Sequence, residues 1–186
     1  MNMEENSIVI ISFSGRKNGN CERIARHIQS LTGGRIYSFA ELNVHPCGQC
    51  SGECFANGSD CPHIGDDLPA LYEAVMRCDL AFYILPNHCD YPNANFFAFN
   101  ERSLCVFSKQ PELLEAYGCI PKKFIVISGG EEENFRAALS QHAENPDILF
   151  LRAKDYGKKS IAGDLMTAPD AVAKVESFIQ NEDPIE

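Results

Sequence analysis

Short runs of β-branched and aromatic residues alternate along the chain with segments that have helical spacing. The clearest runs lie at 8–11, 80–85 and 124–127, and weaker ones lie at 35–39 and 148–151. Continuous apolar runs of this length are typical of strands that are buried on both faces of a parallel sheet. The pattern therefore predicts five parallel strands.

Amphipathic segments fill the intervals between these runs. Ile24, Ala25, Ile28 and Leu31 mark one face of a helix that the glycines at 33–34 would end. Similar spacing predicts helices at 68–75, 96–107, 135–142 and 169–179. Strict alternation of strand and helix predicts an α/β fold, in which right-handed crossovers place helices on both faces of the sheet.

The composition fits one domain that spans residues 1–186. With 186 residues, of which 45% are hydrophobic, the chain can bury one substantial core but not two ordinary ones. The segment at about 41–65 lacks a periodic pattern, so we interpret it as a cysteine-rich insertion loop. No apolar run approaches the roughly 18 residues of a membrane span, and the acidic N-terminus differs from a signal peptide. We therefore expect a cytoplasmic protein without a membrane partner.

The charge balance argues against a nucleic-acid partner. The formal net charge is −10, and phosphate binding by proteins depends on clustered Lys and Arg. We interpret the basic pairs at 122–123 and 158–159 as solvated surface. The pair at 16–17 differs because it lies in a glycine-rich loop.

This loop reads "SFSGRKNGNC" at 12–21, and it leads from the first predicted strand into the first predicted helix. Free N–H groups at a helix start attract anions, and Ser14, Arg16, Asn18 and Asn20 add polar groups to that end. Neither a nucleoside-triphosphate loop nor a dinucleotide fingerprint is present. The loop therefore predicts a site for a monophosphate ligand, with an ordinary helix N-cap as the alternative.

Several motifs together resemble a known family. "SGRKNGNC" at 14–21, the stretch from "PCGQC" to "YILP" at 46–86, and "YPNANFFAFNERS" at 91–103 resemble the flavodoxin-like NAD(P)H-dependent FMN reductases in order and spacing. The resemblance covers about residues 7–130. It implies a doubly wound five-stranded sheet with strand order 2-1-3-4-5, FMN as cofactor, and NADH or NADPH as electron donor.

The resemblance also implies roles for individual positions. The residues around the FMN phosphate would be Ser14, Arg16, Asn18, Asn20 and Cys21. The loop that borders the isoalloxazine ring, called the ring loop, would contribute Pro86, Asn87, His88, Cys89 and Tyr91. The opposite side of the ring would be bordered by Ser128, Gly129 and Gly130. It assigns no catalytic residue. Two departures stand out, since Cys21 replaces a Thr or Ser and the ring loop lacks the usual Ser/Thr-Pro-x-Tyr.

Four cysteines in the insertion loop are candidate metal ligands. Cys47, Cys50, Cys54 and Cys61 have the spacing C-x2-C-x3-C-x6-C. An iron-sulfur branch of the same family binds a four-iron cluster through a similar motif, with x2 in the second gap. Four thiolates also suit zinc, and reduced thiols or a labile disulfide are the third interpretation.

The remaining cysteines are interpreted as packing residues. Cys78, Cys105 and Cys119 lie on or beside apolar faces, so we expect them in the core. Cys89 lies in the ring loop, where simple packing and contact with flavin are both open.

The sequence thus predicts a flavin oxidoreductase that passes electrons between FMN and an iron-sulfur cluster. The alternatives are an electron-transfer module without turnover, and a degenerate member that has lost flavin and binds zinc. We expect a redox protein or a small molecule as partner, and a homodimer or higher assembly is compatible with the resemblance.

Overall fold

The computed structural model describes residues 7–48, 50–52, 54, 61–107, 111–130, 132–139 and 146–180. Within these residues a parallel sheet has the strand order β2-β1-β3-β5-β6, and the short β4 pairs with β3 in antiparallel orientation. The strands are β1 (Ile8–Ser12), β2 (Arg35–Ser38), β3 (Leu80–His88), β4 (Tyr91–Pro92), β5 (Lys122–Ser128) and β6 (Asp147–Arg152). Without β4 the order is 2-1-3-4-5, which confirms the predicted flavodoxin-like topology.

Helices connect the parallel strands. They are α1 (Asn20–Thr32), α2 (Leu68–Met76), α3 (Ala94–Glu101), α4 (Ser103–Phe107), α5 (Pro111–Cys119), α6 (Glu133–Leu139) and α7 (Pro169–Gln180). The helix predicted at 96–107 is divided at Arg102 into α3 and α4. The sequence pattern missed α5 and β4, and positions 140–142 of the helix predicted at 135–142 lie outside the described residues.

The two faces of the sheet carry different apolar clusters because successive residues of a strand point to opposite sides. On one face Val9 and Ile11 of β1 pack in the same cluster as α2 and α3, and on the other face Ile10 packs with α1 and α7. Both clusters include fully buried residues of β3 and β5. Cover on both faces explains why the strand sequences are apolar throughout.

Two expectations about which side chains are buried and which are exposed were wrong. Lys122 and Lys123 are buried, with exposed fractions of 7% and 8%, because their amino groups donate hydrogen bonds to main-chain carbonyls. Lys122 donates to Tyr117 and Ile120. In contrast, Leu31 was expected on the packed face of α1 but is 51% exposed in its last turn.

The topology brings three loops to one edge of the sheet. β1 lies between β2 and β3, so chain order reverses between β1 and β3, where ligands bind in folds of this class. The loops after β1, β3 and β5 begin at this edge. Among the described residues, no helix is long and apolar enough to cross a membrane.

Candidate functional site

Phe13 fixes the start of the loop after β1. Its ring packs against Phe39, Tyr83, Phe96 and Phe99 with centroid distances of 5.0 to 5.6 Å. The Phe13 N–H donates to the carbonyl of Ile84 (3.0 Å) in β3. Such close aromatic packing stabilises the residue beyond simple burial. The loop therefore leaves the sheet from a rigid point.

The Phe13 carbonyl is held by the start of α3. It accepts hydrogen bonds from the side-chain amides of Asn93 (2.7 Å) and Asn95 (2.8 Å). Asn93 is 8% exposed, and its side-chain oxygen has no hydrogen-bond partner among the described residues. The two asparagines thus couple the loop after β1 to the helix that follows β3.

The loop then turns into α1. Gly19 precedes the helix, its N–H donates to the Arg16 carbonyl (3.2 Å), and the Arg16 N–H donates to the Ser14 hydroxyl (3.2 Å). In the described loop no side chain caps α1. Glu22, an acid in the first turn, accepts a hydrogen bond from Ser38 (2.9 Å) in β2. The first N–H groups of α1 are therefore available to an anionic ligand.

A segment after β6, residues 160–165, packs on this loop. The Asn20 side chain donates to the carbonyl of Ser160 (2.9 Å) and accepts from the N–H of Leu165 (3.0 Å). The Arg16 guanidinium donates to the carbonyl of Ile161 (3.1 Å). Both polar ends of the Asn20 amide are therefore used within the protein, and Asn20 fixes the 160–165 segment against the start of α1.

Replacing Asn20 with alanine should lower the free energy of unfolding by about 2 kcal/mol, because two hydrogen bonds of about 1 kcal/mol each, one buried and one partly buried, are lost. Asn18→Ala is the matched control, since Asn18 is exposed in the same loop. We expect a change within about 0.5 kcal/mol for the control. Urea unfolding measures both values, and equal effects would contradict the role of Asn20.

A hollow of about 140 Å³ opens between these elements. Its lining comes from the loop after β1 and the start of α1, the ends of β3 and β5, the residue before α3, and the 160–165 segment. The lining residues are Ser14, Gly15, Arg16, Gly19, Asn20, Cys21, Pro86, Asn87, His88, Asn93, Ile127, Ser160 and Ile161. One end of the hollow is thus rich in backbone N–H groups and a guanidinium, which are groups that bind phosphate.

The chain after β3 forms a tight hairpin into β4. His88 pairs with Tyr91, and the two residues between them, Cys89 (φ 53°) and Asp90 (φ 69°), have left-handed backbone conformations. Two consecutive left-handed residues are typical of hairpin turns that match the strand twist. The hairpin brings Cys89 to the surface beside the hollow.

A second hollow of about 400 Å³ lies next to the first and shares Asn87 and Ser160 with it. It is also lined by Cys89, Gly129 and Gly130. The Asn87 amide donates to the Ser128 hydroxyl (3.2 Å), which joins the loops after β3 and β5. The two hollows adjoin at Asn87 and Ser160, and together they are called the cleft below.

Most of the residues predicted for a flavin site line this cleft. The first hollow contains Ser14, Arg16, Asn20, Cys21, Pro86, Asn87 and His88, and the second contains Asn87, Cys89, Gly129 and Gly130. Ser128 is fully buried behind the cleft, Tyr91 lines a neighbouring groove, and Asn18 is exposed on the loop. Sequence reasoning missed four lining residues: Asn93, Ile127, Ser160 and Ile161. Asn93 lies within the motif at 91–103, whereas Ser160 and Ile161 lie in a stretch without a motif.

Cys21 presents a neutral group to the first hollow. It is 3% exposed and belongs to the apolar cluster under α1. Burial raises the pKa of the Cys21 thiol to about 12, so the thiol stays protonated at neutral pH. The Cys21 thiol is therefore a weak hydrogen-bonding group that adds no charge to the first hollow.

Two cysteines of the insertion loop, Cys47 and Cys61, contact residues at the end of α3. The Cys47 N–H donates to the Glu101 carboxylate (2.7 Å), and the Arg102 guanidinium donates to the Cys61 sulfur (3.7 Å). Cys47 is exposed, Cys50 and Cys54 are half-buried, and Cys61 is buried. In the part of the chain that the structure describes, no three His, Cys, Asp or Glu side chains converge as the ligands of a metal ion do. The donor chemistry fits a thiophilic metal, but its ligands are not preassembled.

Comparison with solved structures gives many similar folds at low sequence identity. The Trp repressor binding protein from Bacillus subtilis aligns with a TM-score of 0.63 at 14% identity, over 92% of this chain and 99% of that one. The flavoenzyme NAD(P)H:(acceptor) oxidoreductase FerB from Paracoccus denitrificans gives 0.54 at 13% identity, over 94% and 95%. The azoreductase AzrA gives 0.55 at 11% identity, over 92% and 96%.

Neither protein-family models nor curated protein sequences give a match to this chain. The structural likeness extends over nearly the whole length of the proteins compared, and two of these are oxidoreductases by name. At sequence identities of 11% to 14% the structural similarity establishes the fold alone. The chain therefore shares its flavodoxin-like fold with these three proteins.

Proposed function

We propose that the protein is an FMN-binding oxidoreductase that takes electrons from NADH or NADPH. The observation that carries this proposal is the cleft, in which a hollow lined by groups that bind phosphate adjoins an opening between the loops after β3 and β5. This cleft lies where the chain order of the sheet reverses. Ligands of doubly wound folds bind at that position.

The phosphate of FMN would bind at the start of α1. Backbone N–H groups after Gly19, the hydroxyl of Ser14 and the guanidinium of Arg16 supply hydrogen bonds and positive charge there. Asn20 supports this end indirectly, because its amide is bound to the 160–165 segment. The unpaired side-chain oxygen of Asn93 is an acceptor suited to a donor group of the ligand, such as a hydroxyl.

The flavin ring would lie between the β3–β4 hairpin and the turn after β5. Asn87, His88 and Cys89 border it on one side and Gly129 and Gly130 on the other. Bound FMN supplies the hydride and electron chemistry, and this chain orients the ring and leaves one side open to a donor or an acceptor. Gly129 and Gly130 are exposed, so a nicotinamide or a flat acceptor can approach the ring there.

Some structurally similar proteins suggest small-molecule acceptors. One is described as a quinone reductase from Klebsiella pneumoniae (TM-score 0.53, 16% identity), and another is an azoreductase. We further propose that the electron acceptor is a small aromatic molecule or a protein redox partner. We also propose that the insertion loop holds a thiol-ligated metal centre, with an iron-sulfur cluster as the first candidate. The contacts of Cys47 with Glu101 and of Cys61 with Arg102 support the metal centre.

Arg16→Ala should weaken FMN binding about 10-fold to 100-fold, because a hydrogen bond to a charged phosphate contributes about 1.5–3 kcal/mol. Lys17→Ala is the matched control, since Lys17 pairs with Glu41 (3.7 Å) on the surface and does not line the cleft. Quenching of FMN fluorescence measures both dissociation constants. Equal affinities in the two variants would contradict phosphate binding by Arg16.

Turnover tests the enzymatic part of the proposal. The FMN-loaded protein is mixed without oxygen with NADH or NADPH and a water-soluble quinone, and nicotinamide absorbance is followed. Steady consumption of nicotinamide that requires both FMN and quinone is the expected result. Tight FMN binding without nicotinamide oxidation would instead identify an electron-transfer module.

A further inference from the structure

A tight turn at residues 159–162 borders the first hollow of the cleft. The Ala162 N–H donates to the Lys159 carbonyl (3.1 Å), which makes Ser160 and Ile161 the two central residues of a β-turn. Both central residues line the first hollow. We call this element the 159–162 turn.

Ile161 is an unusual residue for the centre of a tight turn. These positions favour Gly, Pro, Asn, Asp and Ser, and Ser160 fits that preference. Ile161 is instead β-branched and apolar. It is 69% exposed, the largest fraction among the large apolar side chains that the structure describes. Because it also lines a hollow, Ile161 is an exposed apolar group that a bound ligand can cover.

Hydrogen bonds and an ion pair fix the position of the 159–162 turn. The carbonyls of its two central residues accept from the side chains of Asn20 (2.9 Å) and Arg16 (3.1 Å). On its two flanks, the ammonium of Lys158 pairs with the carboxylate of Asp164 (3.5 Å). The Ile161 side chain is therefore presented to the hollow by an anchored backbone.

The first hollow also has apolar lining residues that a phosphate alone would not use. They are Cys21, Pro86 and Ile127. Cys21 and Ile127 are 3% and 4% exposed and belong to the apolar cluster under α1. A ligand that fills this hollow would contact apolar surface as well as the phosphate-binding groups, and burial of such surface stabilises a complex. Ile161 adds to this surface from the 159–162 turn.

We propose that Ile161 is a retention residue, which covers the part of FMN next to its phosphate and slows the release of the cofactor. FMN binding in the cleft, as proposed above, is the basis of this inference. A guanidinium has five N–H donors, so Arg16 can hold the Ile161 carbonyl and a phosphate at the same time. The bound phosphate and the 159–162 turn are thereby linked through one side chain.

The rate of FMN release tests this assignment. FMN-loaded protein is diluted far below its dissociation constant, and the recovery of free FMN fluorescence is followed. Ile161→Ser keeps the carbonyl that Arg16 binds but removes the apolar contact, so release should be about 3-fold to 10-fold faster. Ile161→Leu should stay within about 2-fold of the original protein. Leu31→Ser, which alters a 51% exposed side chain at the end of α1, is the matched control and should match the original protein.

Equal release rates for Ile161→Ser and the original protein would overturn the role of Ile161 and leave the proposed function standing, because FMN binding is measured in the same experiment. Absence of FMN binding to the original protein would overturn both. Urea unfolding of the same variants should give equal midpoints, since Ile161 is exposed. Faster release that is accompanied by a lower midpoint would show a structural role instead and would also contradict the proposal.

Discussion

Replacing Arg102 with methionine is expected to lower the free energy of unfolding by about 3–5 kcal/mol, because it leaves the Asp66 carboxylate buried without its cation. The two side chains are 1% and 2% exposed and form an ion pair. Arg102 also donates to three groups of the insertion loop, namely the Cys61 sulfur and the carbonyls of His45 and His63. Denaturant unfolding of the purified variant measures the loss.

Arg77→Met is the matched control for this prediction. Arg77 forms an ion pair with Glu73 (2.6 Å) on α2, but its side chain is 78% exposed, so we expect a change of at most about 0.5 kcal/mol. Combining Arg102→Met with Asp66→Asn should recover part of the stability, since the double variant has no unpaired buried charge. A loss below about 1 kcal/mol for Arg102→Met would contradict the role of this pair.

The same pair gives a pH dependence with a defined sign. Burial alone would raise the pKa of Asp66, but hydrogen bonds from Arg102, His45 and Leu68 outweigh it and hold the pKa below the ordinary value of 3.8. The stabilisation is therefore complete above that value and is lost as the pH falls through the lowered pKa of the folded state. The difference between the original protein and Arg102→Met should shrink below about pH 4.

Gly163→Ala is expected to weaken FMN binding about 10-fold to 100-fold and to destabilise the protein by about 2–4 kcal/mol. Gly163 has a left-handed backbone (φ 75°), and an added Cβ would lie 2.6 Å from the Asn18 carbonyl oxygen. Relief of this clash must move the loop after β1 away from the 160–165 segment. FMN titration and urea unfolding measure the two effects.

Gly157→Ala separates backbone strain from the clash. Gly157 has a similar backbone angle (φ 66°), but an added Cβ would meet no atom of the described residues within 4 Å. This variant should lose only about 1 kcal/mol of stability and keep its FMN affinity. Equal FMN affinities for the two variants would show that close approach of the 160–165 segment does not position the loop.

The fold was predictable because its strands must be apolar on both sides. Runs such as Phe124–Ile127 stand out without reference to distant residues, and the strand order followed from the motifs that resemble FMN reductases. The loop at 12–21 was also recognisable, because its glycines and polar groups are adjacent in sequence. Local patterns of this kind can be recognised from the sequence alone, whatever the arrangement of distant segments.

Other parts of the site depend on contacts between distant segments. Ser160 and Ile161 lie in a stretch without a motif, and only the hydrogen bonds of Asn20 and Arg16 reveal their position on the loop. Cys105 looked like a packing residue because it lies in an apolar helical segment. In the structure Cys105 is half-buried; Cys119, which was also expected in the core, is exposed, whereas Cys78 is buried as predicted.

FMN titration of the flavin-free protein tests the central claim most directly. Apoprotein is added to a fixed concentration of FMN, and the fluorescence and absorption spectra of the flavin are recorded, with riboflavin as a ligand that lacks the phosphate. We predict saturable binding of one FMN per chain and clearly weaker binding of riboflavin, since the start of α1 and Arg16 would bind the phosphate. Absence of FMN binding, or equal affinity for both flavins, would contradict the proposed site.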